Sequence, residues 1–153
     1  GCVFISVKDS DKGAALGLAQ KLAGLGFAIM ATGGTARHLA RAGLSVQRVN
    51  KVLEGRPHCV DAILNGAVQL IINTTESAQA IADSYSIRRT ALTDNISHYT
   101  TITGARAAIM AIAAQRTRAA GDGAREGAQA GAKDSGLGGL VVVPLQIYSK
   151  RSA

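Results

Sequence analysis

Aromatic side chains and long apolar runs are both scarce in this 153-residue sequence, and each scarcity excludes a class of protein. Tryptophan is absent and only three tyrosines and two phenylalanines occur, too few for the stacking platforms that bind single-stranded nucleic acid. No apolar run approaches the roughly 20 residues that span a bilayer, and no charged and apolar leader opens the chain. We therefore expect a cytoplasmic protein with neither a membrane nor a nucleic acid as its partner.

Motifs of the common catalytic classes are missing as well. The sequence contains no G-x-x-x-x-G-K-[ST] phosphate loop, no nucleophile elbow and no His or Cys cluster at metal-ligand spacing. The histidines His38, His58 and His98 are dispersed, which favours structural roles over general-base catalysis. We expect no catalytic residue, no metal and no cofactor in this chain.

Cysteine and proline are rare too, with two of each. Cys2 and Cys59 are too few for a disulfide framework, so both are expected to be reduced thiols. A strand-like pattern starts at Gly1 without an initiator methionine or a leader, from which we expect a piece of a longer protein.

Hydrophobic residues, in contrast, make up 47% of the chain, which is enough for one globular domain with its own core. Short apolar runs alternate with helical patterns, and Gly26 and Gly43 end the first two predicted helices. Such alternation is typical of a parallel sheet covered by helices on both faces. The predicted strands are residues 3–7, 27–31, 46–49, 68–72 and 96–100. The first predicted helix begins after Asp9-Ser10-Asp11, whose side chains are expected to cap it, and the third ends near Gly66. The second, fourth and fifth predicted helices span residues 35–42, 77–93 and 100–115.

The composition changes at Arg116. Residues 116–139 are mostly alanine, glycine and charged residues, with seven glycines between 121 and 139, so we predict a flexible insert, with a frayed Ala-rich helix as the alternative. A strand pattern resumes at Leu140. We therefore divide the chain into a domain at 1–115, an insert at 116–139 and a closing segment of the domain at 140–153.

The stretch ATGGTARHL predicts an anion site. Gly33 and Gly34 follow a strand and open a helix, where backbone N–H groups and the positive helix end bind phosphate. Thr32 and Thr35 flank them with hydroxyls that donate to phosphate oxygens. A plain loop with Thr35 as the helix N-cap is the open alternative.

Polar residues follow the other predicted strands in the same way. Lys12 stands in the first turn of a helix, where the macrodipole favours an anion over a cation. Lys51 follows the third strand, Asn73-Thr74-Thr75 closes the fourth, and Thr100 opens the last helix. Carboxyl ends of parallel strands meet at one edge, so these residues predict one site, with solvated lysines and threonine N-caps as the alternatives.

The net charge of +7 is spread along the chain. Residues 1–115 hold 11 basic and 7 acidic residues, and residues 116–153 hold 6 basic and 3 acidic residues. This distribution favours an anionic ligand over a basic stripe that binds nucleic acid.

Five segments together resemble a known family. In order and spacing, SVKDSDK, ATGGTARHL, VNKVLEGRPHCVDAILNG, IINTT and IRRTAL are similar to the C-terminal regulatory domain of the carbamoyl phosphate synthase large subunit, a member of the methylglyoxal-synthase-like fold. The resemblance covers about residues 3–115. It implies a Rossmann-like three-layer α/β domain with a five-stranded parallel sheet flanked by helices. It also implies an allosteric domain without catalytic residues, in a parent ligase that uses ATP and Mg²⁺ for pyrimidine and arginine biosynthesis.

The resemblance further implies an effector and its contacts. The effector is a nucleotide monophosphate, UMP as inhibitor or IMP as activator, and the protein partners are the rest of the large subunit and the small glutaminase subunit. Thr100 matches a position associated with ornithine contact, and Arg88 and Arg89 are candidates either for the interface with the large subunit or for a solvated helix face. The residues implied to hold the phosphate are Lys12, Thr32, Gly34, Thr35 and Lys51, and those implied to complete the nucleotide and ribose pocket are Asn73, Thr74 and Thr75.

Three other functions are considered. Methylglyoxal synthase, a lyase on dihydroxyacetone phosphate, has a catalytic aspartate in a GGD segment, whereas this chain has GRPHCVD there with Asp61 displaced. The cyclohydrolase domain of the bifunctional purine enzyme shares the first segments but lacks INTT and IRR. A basic nucleic-acid-binding module is supported only by the net charge of +7.

Overall fold

Five short strands form one parallel sheet at the centre of the chain. A computed structural model describes residues 1–75 and 78–126, and within it Gly1–Arg118 form one compact unit. The strand order is β3-β2-β1-β4-β5, and Phe4 of β1 pairs with Met30 on one side and Ile71 on the other. The strands are β1 (Cys2–Ser6), β2 (Ala28–Thr32), β3 (Val46–Val49), β4 (Leu70–Asn73) and β5 (Ser97–Tyr99).

Helices alternate with these strands, as the apolar spacing predicts. Gly26, Gly43 and Gly66 adopt positive φ values of 79°, 84° and 69°, so each supplies the left-handed residue that follows a helix end. The helices are α1 (Lys12–Gly24), α2 (Gly33–Arg41), α3 (Cys59–Leu64), α4 (Ala78–Thr93) and α5 (Ile102–Glu126), with short 3-10 turns at Asp9–Asp11 and Val52–Glu54.

Two apolar clusters cover the two faces of the sheet. Strand residues such as Ile5 pack against α1, α2 and α5, while the alternate residues, such as Phe4, pack against α3 and α4. Side chains of a strand alternate between faces, so a central strand with helices on both sides is buried throughout, and Val3, Phe4 and Ile5 are all 0% exposed. The predicted three-layer α/β fold is confirmed.

Three local predictions are wrong. The helix predicted to end at residue 115 continues to Glu126, so the first residues after Arg116 are helical, and α2 begins at Gly33 rather than at Thr35. Asp9 and Asp11 make no side-chain cap bond to α1, because they form a 3-10 turn of their own. Residues 127–139 of the predicted insert and the closing segment 140–153 lie outside the described residues.

Two further features concern the described residues. In the described part, no helix is long and apolar enough to cross a membrane. Cys2 and Cys59, both described, are not joined by a disulfide, and burial raises the pKa of the Cys2 thiol.

Truncating a buried leucine should test the packing between α2 and the sheet. Leu39 is 0% exposed, so Leu39→Ala should lower the free energy of unfolding by about 2–5 kcal/mol, measured by urea denaturation. Leu53→Ala is the control, because Leu53 is 71% exposed and its truncation should change stability by less than about 0.5 kcal/mol. Equal effects of the two substitutions would contradict this packing.

Candidate functional site

A cavity opens at the carboxyl ends of β1, β2 and β4. The chain places β2 and β3 on one side of β1 and β4 and β5 on the other, and such a reversal leaves a crevice at the strand ends. The cavity measures about 300 Å³. It is lined by Ser6, Val7, Lys8, Asp9, Thr32, Lys51, Val52, Cys59, Asn73, Thr74, Thr75, Ser84 and Ile87. Five of the predicted site residues, Thr32, Lys51, Asn73, Thr74 and Thr75, are therefore brought together.

The last residue of each contributing strand is polar and faces this cavity. Ser6 Oγ and Thr32 Oγ1 are 2.9 Å apart and share a hydrogen bond between β1 and β2. Asn73, at the end of β4, is 2% exposed, and its Nδ2 has no hydrogen-bond partner. A buried amide nitrogen is normally satisfied, so this donor is available to a ligand.

Thr35 has a structural role. Its Oγ1 accepts from Val7 N at 3.2 Å and donates to Val7 O at 3.5 Å, and the residue is 2% exposed. The hydroxyl therefore joins the first turn of α2 to the end of β1, and Thr35 is not the N-cap. Thr32 occupies the N-cap position but makes no side-chain cap bond.

Thr74 is held against the loop after β1. Thr74 Oγ1 accepts from Lys8 N at 3.1 Å, and Thr74 N donates to Ser6 O at 3.1 Å. A hydroxyl that already accepts retains its own proton, so Thr74 can donate toward the cavity.

The cations of the site are arranged around one carboxylate. Lys12 Nζ lies 2.7 Å from Asp9 Oδ1. The hydrogen bond and charge of Lys12, and to a smaller extent the charge of Lys51, hold the pKa of Asp9 below its usual range. A Cβ added to Gly34 would lie 3.3 Å from Lys12 Nζ, so this ammonium stands over the N-terminus of α2. Lys12 therefore lies between Gly34 and Asp9, and Asp9 and Lys51 line the cavity. The sequence pattern did not reveal Asp9 as a counterion of Lys12.

A third cation lies beside the other glycine. A Cβ added to Gly33 would lie 3.5 Å from Arg48 Nη2, so the guanidinium packs where Gly33 has no side chain. Neither Gly33 nor Gly34 has a positive φ, so no unusual backbone geometry requires a glycine at either position. The first turn of α2 holds no acidic residue, which leaves its positive end open to an anion. Arg48 lies beside Gly33 because β3 pairs with β2 in the register that aligns Arg48 with Ala31.

The described structure does not bring Thr100 into the cavity. Thr100 is exposed after β5 and does not line it, and the neighbouring Thr101 accepts from Gly104 N at 3.2 Å at the start of α5. Its suggested contact with ornithine stays a prediction.

The remaining carboxylate of interest lies elsewhere. Asp61 Oδ2 accepts from His58 N at 2.9 Å while His58 Nδ1 accepts from Asp61 N at 3.3 Å, so the two residues cap α3 reciprocally. Asp61 does not line the cavity. Within residues 1–75 and 78–126, no group of three His, Cys, Asp or Glu side chains is placed to hold a metal ion.

His98 is a half-buried histidine on β5. Its Nε2 has no hydrogen-bond partner, and burial, followed by the positive charge of Arg88, holds its pKa below the ordinary value of 6.5. Folding therefore favours the neutral imidazole over the protonated one.

Comparison with known proteins adds the following findings. Residues 14–100 match the family model of the MGS-like domain. The large chain of carbamoyl phosphate synthase from Pseudomonas aeruginosa is 60% identical over 107 residues, covering 70% of this chain and 10% of that protein. The same-named protein from Brucella suis is 52% identical over 114 residues, covering 74% and 10%.

Among solved structures, methylglyoxal synthase from Elizabethkingia anophelis is similar, with a TM-score of 0.58 and 20% identity over 71% of this chain and 76% of that one. At that identity the likeness shows the fold alone. The chain spans about a tenth of the length of the curated relatives it matches.

Replacing the Thr35 hydroxyl should destabilise the chain whether or not a ligand is present. Thr35→Val removes both bonds to Val7 and leaves a buried N–H unpaired, so the free energy of unfolding should fall by about 1–3 kcal/mol in denaturant titrations. Thr103→Val, at an exposed position of α5, is the control and should change stability much less. Parent-like stability of Thr35→Val would show that its hydroxyl does not join α2 to β1.

Protonation of His98 should destabilise the fold. Because its pKa is lowered in the folded chain, the unfolded chain binds the proton more readily, so the free energy of unfolding should fall as the pH drops from 7 through 6.5 to 5. Urea denaturation across this range, with His98→Gln and His38→Gln compared, measures the effect. The His98 variant should lose part of the pH dependence and the His38 variant should retain it; an unchanged profile in His98→Gln would contradict the assignment.

Proposed function

The chain belongs to the MGS-like domain family, and on that premise we propose that it is the effector-binding domain of a carbamoyl phosphate synthase large subunit. The effector is a nucleoside monophosphate of the UMP or IMP type. The observation that carries the proposal is the cavity at the ends of β1, β2 and β4. Its lining contains cations, hydroxyls and an unpaired amide donor, and Asp9 is the one carboxylate among the described lining residues.

The phosphate end of the ligand is assigned to the edge of the cavity beside α2. Lys12 and Lys51 supply positive charge. The backbone N–H groups of Gly34 and Thr35 lie in the first turn of α2, at the positive end of the helix, where they donate to an anion. A dianionic phosphate competes with Asp9 for Lys12 and relieves the crowding of cations at that helix end. Thr32, at the N-cap, completes this edge.

The sugar end is assigned to the β4 side. Asn73 Nδ2 is buried and unpaired, and the Thr74 hydroxyl retains a proton to donate. Such neutral donors suit ribose and base oxygens, which carry no full charge. Thr75 lines the same wall of the cavity.

A regulatory role fits this donor set better than the lyase reaction. Asp9 is the only carboxylate among the described residues that line the cavity, and it is paired with Lys12 at 2.7 Å. Asp61, the candidate for a lyase aspartate, caps α3 instead. A domain with this site regulates by binding differently to two states of the parent, which requires a coupling of about 1–3 kcal/mol.

The parent protein supplies the rest of the proposal. Both relatives described above are large chains of carbamoyl phosphate synthase, and this chain matches about a tenth of each. We place it accordingly in an ATP- and Mg²⁺-dependent ligase of pyrimidine and arginine biosynthesis, with the remaining large subunit and the small glutaminase subunit as protein partners. Thr100 is retained as the residue proposed to contact an ornithine-type effector.

Removing the Lys51 charge should weaken nucleotide binding. In calorimetric titrations of the chain with UMP and IMP, Lys51→Gln should raise the dissociation constant about tenfold, or about 1.4 kcal/mol, since the lysine is proposed to pair with the phosphate. Lys21→Gln is the matched control, because Lys21 is exposed in the last turn of α1, at the opposite end of that helix from Lys12.

Two outcomes would contradict the proposal. One is that neither nucleotide binds or that Lys51→Gln binds as tightly as the parent. The other is that the chain releases methylglyoxal from dihydroxyacetone phosphate, which would identify it as a lyase.

A further inference from the structure

Three unpaired buried nitrogens lie on one side of the molecule. In the described part of the chain, the buried side-chain nitrogen or oxygen atoms without a hydrogen-bond partner are Asn73 Nδ2, Arg88 Nε and His98 Nε2. They belong to β4, α4 and β5, which are consecutive along the chain. Buried polar atoms are normally hydrogen-bonded, so these three atoms together indicate hydrogen-bonding capacity that the fold itself does not use.

The strand pairing brings these residues to the same face of the sheet. Ile71 of β4 is in register with His98 of β5, and Asn73 follows Ile71 by two residues, so alternation turns it to that face as well. Ile71 packs with Ile87 and with Ala91 of α4 in one apolar cluster. Asn73 and His98 therefore both face α4.

Arg88 connects this region to the cavity wall. Its Nη2 donates to Thr75 Oγ1 at 3.5 Å, and Thr75 lines the cavity whereas Arg88 does not. Since the Thr75 oxygen accepts from a cation, its own proton is left to donate into the cavity. Ser84 and Ile87 of α4 line the same wall, so the helix that carries Arg88 also shapes the site.

We propose that Arg88 is a positioning residue that orients the Thr75 hydroxyl as a donor, beside Asn73 Nδ2, to an uncharged oxygen of the ligand's sugar or base. This inference rests on the proposed function and names how the non-phosphate end of the ligand is recognised. The proximity of Arg88 to His98 is supported by its effect on the pKa of that histidine. The phosphate, bound at the α2 edge, gains nothing from this pair.

The test compares a nucleotide with phosphate alone. Calorimetric titration of the chain with UMP and with inorganic phosphate should show that Arg88→Gln weakens UMP binding about five- to tenfold and leaves phosphate binding unchanged. Arg88→Lys, which retains a cationic donor, should restore part of the loss. Arg89→Gln is the matched control, because Arg89 is the exposed neighbour on the same helix, and it should bind both ligands like the parent.

A second variant shows whether Arg88 acts through Thr75. Thr75→Val should weaken UMP binding to a similar extent, and the double variant should lose no more than either single one, since coupled residues are not additive. In Arg88→Gln, the pKa of His98 measured by NMR titration should rise, because a neighbouring positive charge has been removed. A pKa that rises but stays below 6.5 shows that His98 remains buried in the variant, because burial is the larger cause of the lowered pKa.

The outcomes separate the inference from the proposed function. If the parent chain binds neither UMP nor IMP, the proposed function is overturned and the inference with it. If UMP binds but Arg88→Gln binds it as tightly as the parent, loses phosphate to the same degree, or adds fully to Thr75→Val, the inference alone is overturned.

Discussion

The parallel pairing of β1 on both of its edges is the constraint on which the rest of the molecule depends. Val3, Phe4 and Ile5 are fully buried between β2 and β4, with helices over both faces. The chain adds β2 and β3 on one side of β1 and then β4 and β5 on the other side. The loops after β1, β2 and β4 therefore diverge at the carboxyl ends of the strands. The cavity is the space between those loops, so the packing that stabilises the fold also creates the site.

Hydroxyl groups at that edge divide into those that hold the scaffold and those that remain available. Thr35 Oγ1 accepts one hydrogen bond from the backbone of Val7 and donates its proton to the same residue, and Ser6 and Thr32 bond to each other. Thr74 and Thr75 each accept one bond and retain a proton. A loss of ligand affinity on substituting Thr35 therefore mixes a structural cost with a lost contact, whereas substitutions on the β4 side report on recognition more directly.

Positive charge exceeds negative charge at the site: Lys8 and Lys51 line the cavity and Lys12 pairs with Asp9, the one carboxylate among the described lining residues. Asp9 is paired with Lys12 and lies in the field of Lys51, and its carboxylate is exposed, with 92% of the side chain accessible. An exposed pair of this kind contributes little stability, so a phosphate can displace the carboxylate at small cost. The proposed nucleotide suits this arrangement, because its phosphate carries two negative charges and its sugar and base carry further hydrogen-bond acceptors.

Local sequence patterns were sufficient for the architecture and for five of the residues that line the cavity. Apolar strands, helical spacing and the glycines Gly26 and Gly43 predicted the βα units, because strand burial and helix ends depend on residues close together in the chain. Polar residues after the strands also predicted that Thr32, Lys51 and Asn73 lie close together, because the carboxyl ends of parallel strands meet at one edge of the sheet. The end of α5 was predicted too early, since an Ala-rich and Gly-containing segment has no apolar period from which to read a helix.

Side-chain pairing across the sheet was decided by the tertiary structure alone. The bond from Thr35 to Val7 joins residues 28 positions apart, and the contact of Arg88 with Thr75 depends on how α4 lies against β4. Arg48 reaches Gly33 only because β3 pairs with β2. The sequence by itself determined which helices and strands form and which polar groups stand at their ends, because both depend on local spacing. Only the three-dimensional packing decided which of these polar groups are hydrogen-bonded within the protein and which remain for a ligand.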